Sequence, residues 1–371
     1  MLKVLKIESA IVPKKIELYN ELAKYCELTL IYGVKNEKDK NISLIKEAKP
    51  AYKYHIIYPG IIDRIFAKYK KIIKTGIFSC IILEGYRSPM VSDAIKYLSQ
   101  KKIPFILSVD SSIIPKKEFI LTSWLKYSLI SKASMWLTTC SATENYLIAY
   151  GAKKELIRCH PLSFLRQSEV HRATLEEKEK IKKELNIPYK KVVLNVGEFT
   201  YIKANDILIK AMSWLDKDIG CYIIGGPPRV EYMDIKEMLQ LDNVRFLGYV
   251  EPKNLAKYYS IADIFAHPTR YSEWGSVISE AMSRGLPVIT TKKCLAGKEL
   301  IKDEENGYLI NTDDIDALVN KLKVLLTDES LADRISSNNI AAMQNYTLEG
   351  NAKAHLNIIE EFSRTFNSSA S

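Results

Sequence analysis

Apolar and polar positions along this chain change period repeatedly and at regular intervals. Short β-branched or aromatic-rich runs at Val4–Ser9, Leu28–Tyr32, Tyr52–Ile57, Phe78–Leu83, Phe105–Val109 and Met135–Thr139 predict strands. Between them, Lys14–Tyr25, Ile61–Lys74, Pro89–Gln100, Lys117–Lys132 and Ser141–Tyr150 carry helical spacing. Residues 34–50 are polar and irregular and predict a surface excursion. Strand and helix alternating through short connections imply a parallel sheet covered on both faces.

The pattern pauses at a crossing strand near Arg158–Arg166 and a charge-dense stretch, 167–186, that leads into a solvated helix. It then restarts. Val192–Val196, Cys221–Ile224, Val244–Phe246, Ile264–Ala266, Val288–Thr291 and Tyr308–Ile310 predict strands. Ala204–Trp214 and Tyr232–Leu241 predict helices among them, and Asp314–Leu326, Leu331–Asn345 and Leu348–Phe366 close the chain as three more. The expected fold is α/β: two Rossmann-like parallel-sheet domains facing across a cleft. The boundaries are 1–165, a linker and helix over 166–186, a second domain over 187–345, and a terminal helix over 346–371 free to return to the first domain. Opposed strand C-terminal ends are the expected ligand site.

Composition narrows the class. A length of 371 residues suits two domains, each with its own core, and 47% hydrophobic with 26% charged residues is ordinary for a soluble protein. No apolar run reaches the roughly 18 residues of a spanning helix, and Met1–Lys6 enters a strand pattern directly, so a cytoplasmic protein is expected. Cys26, Cys80, Cys140, Cys159, Cys221 and Cys294 are scattered and read as buried small hydrophobes in a reducing compartment. His55, His160, His171, His267 and His355 lack metal-ligand spacing, and no metal or other cofactor is expected.

Charge is distributed unevenly. Residues 1–160 hold 27 Lys and Arg against 14 Asp and Glu, a net of +13, whereas the remainder is at −3. An anionic membrane surface and a nucleic acid are the partners such a half would suit. No motif that reads RNA or DNA supports the second, so nucleic acid rests on charge alone and is not the expected partner. Arg64–Lys74 and Pro115–Tyr127 interleave basic with apolar and aromatic residues, as helices lying at an anionic membrane do, and as helices packed on their own sheet also do. Peripheral attachment to the inner face of a cell membrane is therefore an expectation.

Candidate chemistry concentrates in Phe265–Thr290, read as strand, loop, helix over Trp274–Arg284, a left-handed cap at Gly285, and strand. Glu273 and Glu280 stand two helical turns apart, and His267, Arg270 and Ser272 crowd the loop. Gly197–Lys203 follows a strand and precedes a helix, where a glycine lets amides approach a phosphate and Lys203 adds a point charge. Gly225-Gly-Pro-Pro228 reads as a tight turn. Phe246-Leu-Gly-Tyr-Val250 could frame a planar base. Asp110, at the end of a first-domain strand, either contacts a polyol or caps the following helix.

Together these runs resemble retaining glycosyltransferases of family 4. The resemblance rests on Pro268-Thr-Arg-Tyr-Ser-Glu-Trp-Gly-Ser-Val-Ile-Ser-Glu-Ala-Met-Ser-Arg-Gly-Leu-Pro-Val-Ile-Thr290, Asn195–Lys203, Phe246–Val250, Ala262-Asp263 and Glu305–Tyr308, in family order. It is specific over roughly 190–325 and thinner before that. It implies a GT-B fold and transfer of a hexose from a nucleotide diphosphate sugar to a glycan or lipid-linked acceptor, with retention and without a metal. A place in surface polysaccharide synthesis goes with it. By resemblance Lys203 neutralises the departing diphosphate, and Gly275, Ser276 and Val277 offer it amides. Glu280 takes ribose hydroxyls, Gly248, Tyr249 and Val250 frame the base, and Gly197, Glu198, Arg270 and Ser272 line the donor.

The pattern is departed from in several places. Ser272 stands where the first acidic residue is usual, with Glu273 displaced by one. Glu198 replaces an arginine, the glycine pair is missing from Ser9–Pro13, and Asp110 takes the place of a first-domain histidine. An alternative class is a partner subunit on the same fold that binds nucleotide without catalysis.

Overall fold

A computed structural model describes residues 1–34, 41–57, 62–110, 114–115, 117–272 and 274–367. The chain divides into two compact units: Met1–Phe164 with Tyr346–Ser371, and Leu165–Asn345.

The first unit carries β1 (Lys3–Glu8), α1 (Pro13–Leu22), β2 (Glu27–Gly33), α2 (Asn41–Ala48), β3 (Lys53–Ile57), α3 (Ile62–Thr75) and β4 (Cys80–Glu84). It continues with α4 (Pro89–Gln100), β5 (Ile106–Ser108), α5 (Ile120–Ile130), β6 (Met135–Thr138), α6 (Ser141–Ala149) and β7 (Ile157–Cys159). Its sheet is parallel, in the order β3-β2-β1-β4-β5-β6-β7. Alternate side chains of the strands enter two cores, one under α3 to α6 and one under α1 and α2. The second core is completed by Leu348, Ala352, Ile359 and Phe362 of the chain's last helix, and the Arg158 guanidinium donates to Glu361 at 3.0 Å.

The second unit runs α7 (Leu175–Glu184), β8 (Lys191–Val196), α8 (Asn205–Met212), β9 (Ile219–Ile224), α9 (Val230–Met238), β10 (Val244–Phe246) and α10 (Pro252–Ile261). Then follow β11 (Ile264–His267), α11 (Ser276–Ser283), β12 (Val288–Thr291), α12 (Leu295–Leu300), β13 (Gly307–Ile310), α13 (Ile315–Thr327) and α14 (Glu329–Met343). The last helix, α15 (Leu348–Asn367), belongs to the first unit. The second sheet is also parallel, ordered β10-β9-β8-β11-β12-β13.

Four expectations need correcting. The excursion expected over 34–50 contains α2, whose Ile42 and Ile45 lie one turn apart and are buried. The helix after the linker is not simply solvated. Lys178 and Lys182 of α7 are buried, because their ammonium groups satisfy the Ala262 carbonyl at 2.9 Å and the Lys190 carbonyl at 2.7 Å. Cys159 is exposed at the sheet edge, unlike the other five cysteines. The helix of the chemical stretch begins at Ser276, not Trp274, with Gly275 as its N-cap residue. Its end is as expected: Gly285 has φ +72°, and an added Cβ would meet Ser336 Oγ at 2.7 Å.

Candidate functional site

In each sheet the chain reverses direction once, between β1 and β4 in the first unit and between β8 and β11 in the second. The loops after those strands diverge and leave a crevice at the strand C-terminal ends, where open α/β sheets bind ligands.

In the second unit the flanking loops are Gly197–Ala204 and Pro268–Gly275. Gly197 follows β8 and donates its N–H to the Ile224 carbonyl at 2.8 Å. Ala204 has φ +53°, a left-handed conformation that costs a non-glycine residue energy and turns the chain sharply after Lys203. The turn lays the Lys203 stem beside Gly197: an added Cβ there would lie 3.6 Å from Lys203 Cγ and Cδ, and 3.4 Å from His267 Cε1. No ion pair holds the Lys203 ammonium among the described residues. It is an uncommitted cation at the crevice.

His267 ends β11 fully buried. The Glu198 carbonyl can only accept, and Asn205 Nδ2 donates to it at 3.1 Å. Asn205 Oδ1 accepts from Asn195 Nδ2 at 2.6 Å, and Asn195 Oδ1 stands 2.9 Å from His267 Nδ1. This relay makes Nδ1 the donor and leaves Nε2 a bare lone pair. Nε2 is buried without a hydrogen-bond partner among the described residues. Burial, then the charge of Lys203, lowers His267 to about 3, so the ring is neutral at physiological pH. His267 is thus hydrogen-bonded at only one of its two nitrogens among the described residues. The available signal was polarity: Asn195 interrupts an otherwise apolar strand.

Beyond the crevice, Gly275 caps α11, and the first amides of Ser276 and Val277 have no intrahelical carbonyl to meet. Ser272 is buried and bridges backbone to backbone with Lys293 and Leu295, which fixes this loop on the end of β12. On the other side, Gly225 (φ +145°) donates to the Gly248 carbonyl at 2.8 Å, and an added Cβ would lie 2.5 Å from the Gly197 carbonyl oxygen. The tight turn at Gly225 thus locks three glycine loops, after β8, β9 and β10, side by side. Tyr249 stands 76% exposed beside Gly248, with Val250 half-buried. Glu280 sits farther down α11, where one carboxylate oxygen accepts from the Tyr259 hydroxyl at 3.0 Å and the other is open.

Arg270 does not join this group. Its guanidinium donates to both Asp206 oxygens at 3.1 and 2.8 Å, to Asp313 at 2.6 Å and to the Tyr201 carbonyl at 2.7 Å. Two carboxylates compensate its charge, so in this structure it ties the loop to α8 and to Asp313. The Glu198 side chain is exposed, and only its carbonyl is used. Glu273 lies outside the described residues.

The first unit's crevice is a groove of about 290 Å³ lined by Ser9, Glu84, Gly85, Tyr86, Arg87, Ser88, Val109 and Asp110. Its floor is charged. Glu84 pairs with Lys6 and Lys15, each at 2.9 Å, and Lys15 reaches Asp110 at 3.4 Å. Burial opposes ionisation of Glu84, but the two ammonium groups hold it well below the usual carboxylate range. Burial, then the Glu84 charge, pushes Asp110 up to about 7. Ser111 and Ser112 lie outside the described residues.

Residues 177–341 match the family model of glycosyl transferases group 1. The matched segment lies within the second unit and spans its crevice. Among curated proteins, the chain is 30% identical over 146 residues to spore coat protein SA of Bacillus subtilis (strain 168), 36% of this chain and 38% of that protein. It is 29% identical over 202 residues to the lipopolysaccharide core biosynthesis mannosyltransferase LpsB of Rhizobium meliloti (strain 1021), 51% of this chain and 57% of that one. The matches therefore span under two thirds of these relatives. Among solved structures, Anabaena HepE in complex with UDP aligns with TM-score 0.77 at 18% identity, covering 99% of this chain and 100% of that one. A glycosyltransferase from Rickettsia africae aligns with TM-score 0.77 at 17% identity, covering 98% and 99%. The fold is GT-B: two Rossmann-like units with parallel sheets of seven and six strands.

Proposed function

We propose that this protein is a glycosyltransferase that takes a hexose from a nucleotide diphosphate sugar and delivers it to a glycan or lipid-linked acceptor. The observation that carries the reading is the uncommitted Lys203 ammonium at the second unit's crevice, close to the α11 N-terminus. When the glycosyl bond breaks, negative charge grows on the departing diphosphate, and fixed positive groups aimed there stabilise the transition state. Lys203 supplies a full charge, and the amides of Gly275, Ser276 and Val277 supply helix-terminal dipoles. The charge of Lys203 is felt by both His267 and Cys294, and Cys294 Sγ lies 3.3 Å from the Cβ position of Gly275, so the lysine and the α11 start share one neighbourhood. The reading places the diphosphate charge on these protein groups and asks for no metal.

The remaining roles follow from reach. Glu280, held by Tyr259, offers its open oxygen to the ribose, and Gly248, Tyr249 and Val250 border the base. The bare Nε2 of His267 accepts one N–H of the Lys203 ammonium as the diphosphate arrives, aiming the other two at phosphate oxygens. Ser272 fixes the loop, and the reading assigns Glu273, which lies outside the described residues, to the sugar. Asp110, over the Glu84–Lys15 floor, receives the acceptor hydroxyl. The family resemblance supports retention, and the partial match to LpsB supports a place in surface polysaccharide assembly.

The test is calorimetric titration with UDP and GDP, the UDP complex of HepE making UDP the first choice, followed by turnover of a panel of nucleotide sugars. Nucleotide binding with donor hydrolysis or transfer, lost in Lys203→Ala, supports the reading. Binding without turnover of any donor would favour a non-catalytic partner subunit, the reading motivated by Glu198 in place of an arginine.

A further inference from the structure

The first unit exposes an apolar surface that the transferase reading does not use. α5 packs on the sheet only through its last turn, where Leu129 and Ile130 are buried. Its opening turns point outward. Phe119, Ile120 and Leu121 are 85%, 89% and 75% exposed, and Trp124 and Leu125 follow one turn later on the same side at 63% and 49%. The spacing i, i+1, i+4, i+5 makes one continuous stripe, and Lys126 is the helix's one charged residue. Soluble proteins seldom leave such a patch unless something covers it.

The surroundings indicate what covers it. α3, α4 and α5 are neighbours in that order, on one side of the sheet. Lys68, Lys71, Lys74, Lys96, Lys102 and Lys117 are exposed along this side and make no ion pair among the described residues. The acids Asp93 and Glu118 are taken up by Lys70 and Lys126. The result is a ridge of Phe, Ile, Leu and Trp bordered by uncompensated ammonium groups. A second copy of the chain would bring the same positive charge, +13 over residues 1–160, against itself. An anionic lipid surface complements both parts: headgroup phosphates meet the lysines, and the acyl boundary receives the apolar stripe. No helix among the described residues is long and apolar enough to cross a membrane.

We propose that the first turns of α5, with the lysines of α3 and α4 beside it, form a docking surface for an anionic membrane leaflet. The inference stands on exposure and charge and is independent of the catalytic reading.

The test is flotation of the full chain with vesicles of phosphatidylcholine alone and of equimolar phosphatidylcholine and phosphatidylglycerol, at low and high salt. Wild type should float with the anionic vesicles at low salt and fall away as salt rises. Leu121→Ser combined with Trp124→Ser removes two exposed side chains and should lower the partition coefficient about tenfold or more. Lys96→Glu with Lys117→Glu should abolish the preference for anionic vesicles while leaving the apolar stripe intact. Failure of wild type to float, or flotation of both double variants equal to that of wild type, overturns the proposal. So does concentration-dependent self-association that Leu121→Ser with Trp124→Ser dissolves while no chain floats, because the cover would then be a second copy.

Discussion

The two crevices arise at the same topological point in sheets of the same kind, yet their electrostatics are opposite. In the first unit, ionisable side chains crowd the floor, and nearly every charge has a partner. Lys6, Lys15, Glu8, Glu84 and Asp110 form one buried network, with Tyr19 donating to Glu8. In the second unit, the buried groups are a neutral relay of two amides and an imidazole, and the Lys203 ammonium beside it has no ion-pair partner among the described residues. A compensated network offers hydrogen bonds but little net field, which suits hydroxyl groups. A bare cation beside a helix start suits an anion. Under the proposed function, the difference assigns the leaving group to the second unit and the hydroxyl acceptor to the first.

The largest expected effect removes that one cation. Lys203→Ala should lower kcat by about 10²–10³-fold, measured by single-turnover transfer, as loss of one preorganised charge-stabilising group does elsewhere. Near-wild-type turnover would contradict the contrast at its centre. Next comes Gly225→Ala. Its Cβ would sit 2.5 Å from the Gly197 carbonyl oxygen, backbone that cannot yield without moving the Gly197 turn. Nucleotide affinity should fall about tenfold or more while the first unit's groove is untouched. Unchanged affinity would mean that the three glycine loops do not act as one surface.

His267 sharpens the comparison within the second crevice. His267→Phe keeps an aromatic ring but removes the lone pair, and turnover should drop about tenfold. A purely structural role predicts that this loss adds to that of Lys203→Ala. Positioning of the lysine predicts that the double variant is no worse than Lys203→Ala alone. The ring's pKa of about 3 lies below its unfolded value near 6.5. The unfolded state therefore binds more protons in that window, and stability should fall as pH drops from about 6.5 towards 3. His267→Phe removes that contribution, which acid titrations of thermal stability would detect.

Much of this was legible in the sequence, and what was not has physical causes. Strand and helix periods disclose the two α/β units because burial on one or both faces imposes them. Gly197, Lys203 and the α11 start were visible because loops at strand ends use few residue types. The partners of Arg270 were not legible: a loop arginine looks available in the sequence, and only the fold brings Asp206 and Asp313, 64 and 43 residues away, onto its guanidinium. The Glu84–Lys15 floor was missed for the same reason, since its members come from β4 and α1, 69 residues apart. Lys6 and Glu8, two charges within the buried strand β1, were the local clue.

The smallest expected effect tests the first unit. Asp110 has a folded-state pKa of about 7, raised by burial and by Glu84 from an ordinary value of 3.8. Between those values the folded chain binds more protons at this site than the unfolded chain does. Its contribution to stability is therefore fully present below about 3.8 and is lost as pH rises to about 7. Asp110→Asn keeps the shape and deletes the titration, so the downward slope of stability over that interval should flatten. Turnover should lose a few-fold, chiefly through the acceptor's KM, because one hydrogen-bonding partner for the hydroxyl is replaced by another of the same shape. If donor affinity changed instead while the acceptor's KM held, Asp110 would be serving the leaving-group side, and the division between the two crevices would have to be redrawn.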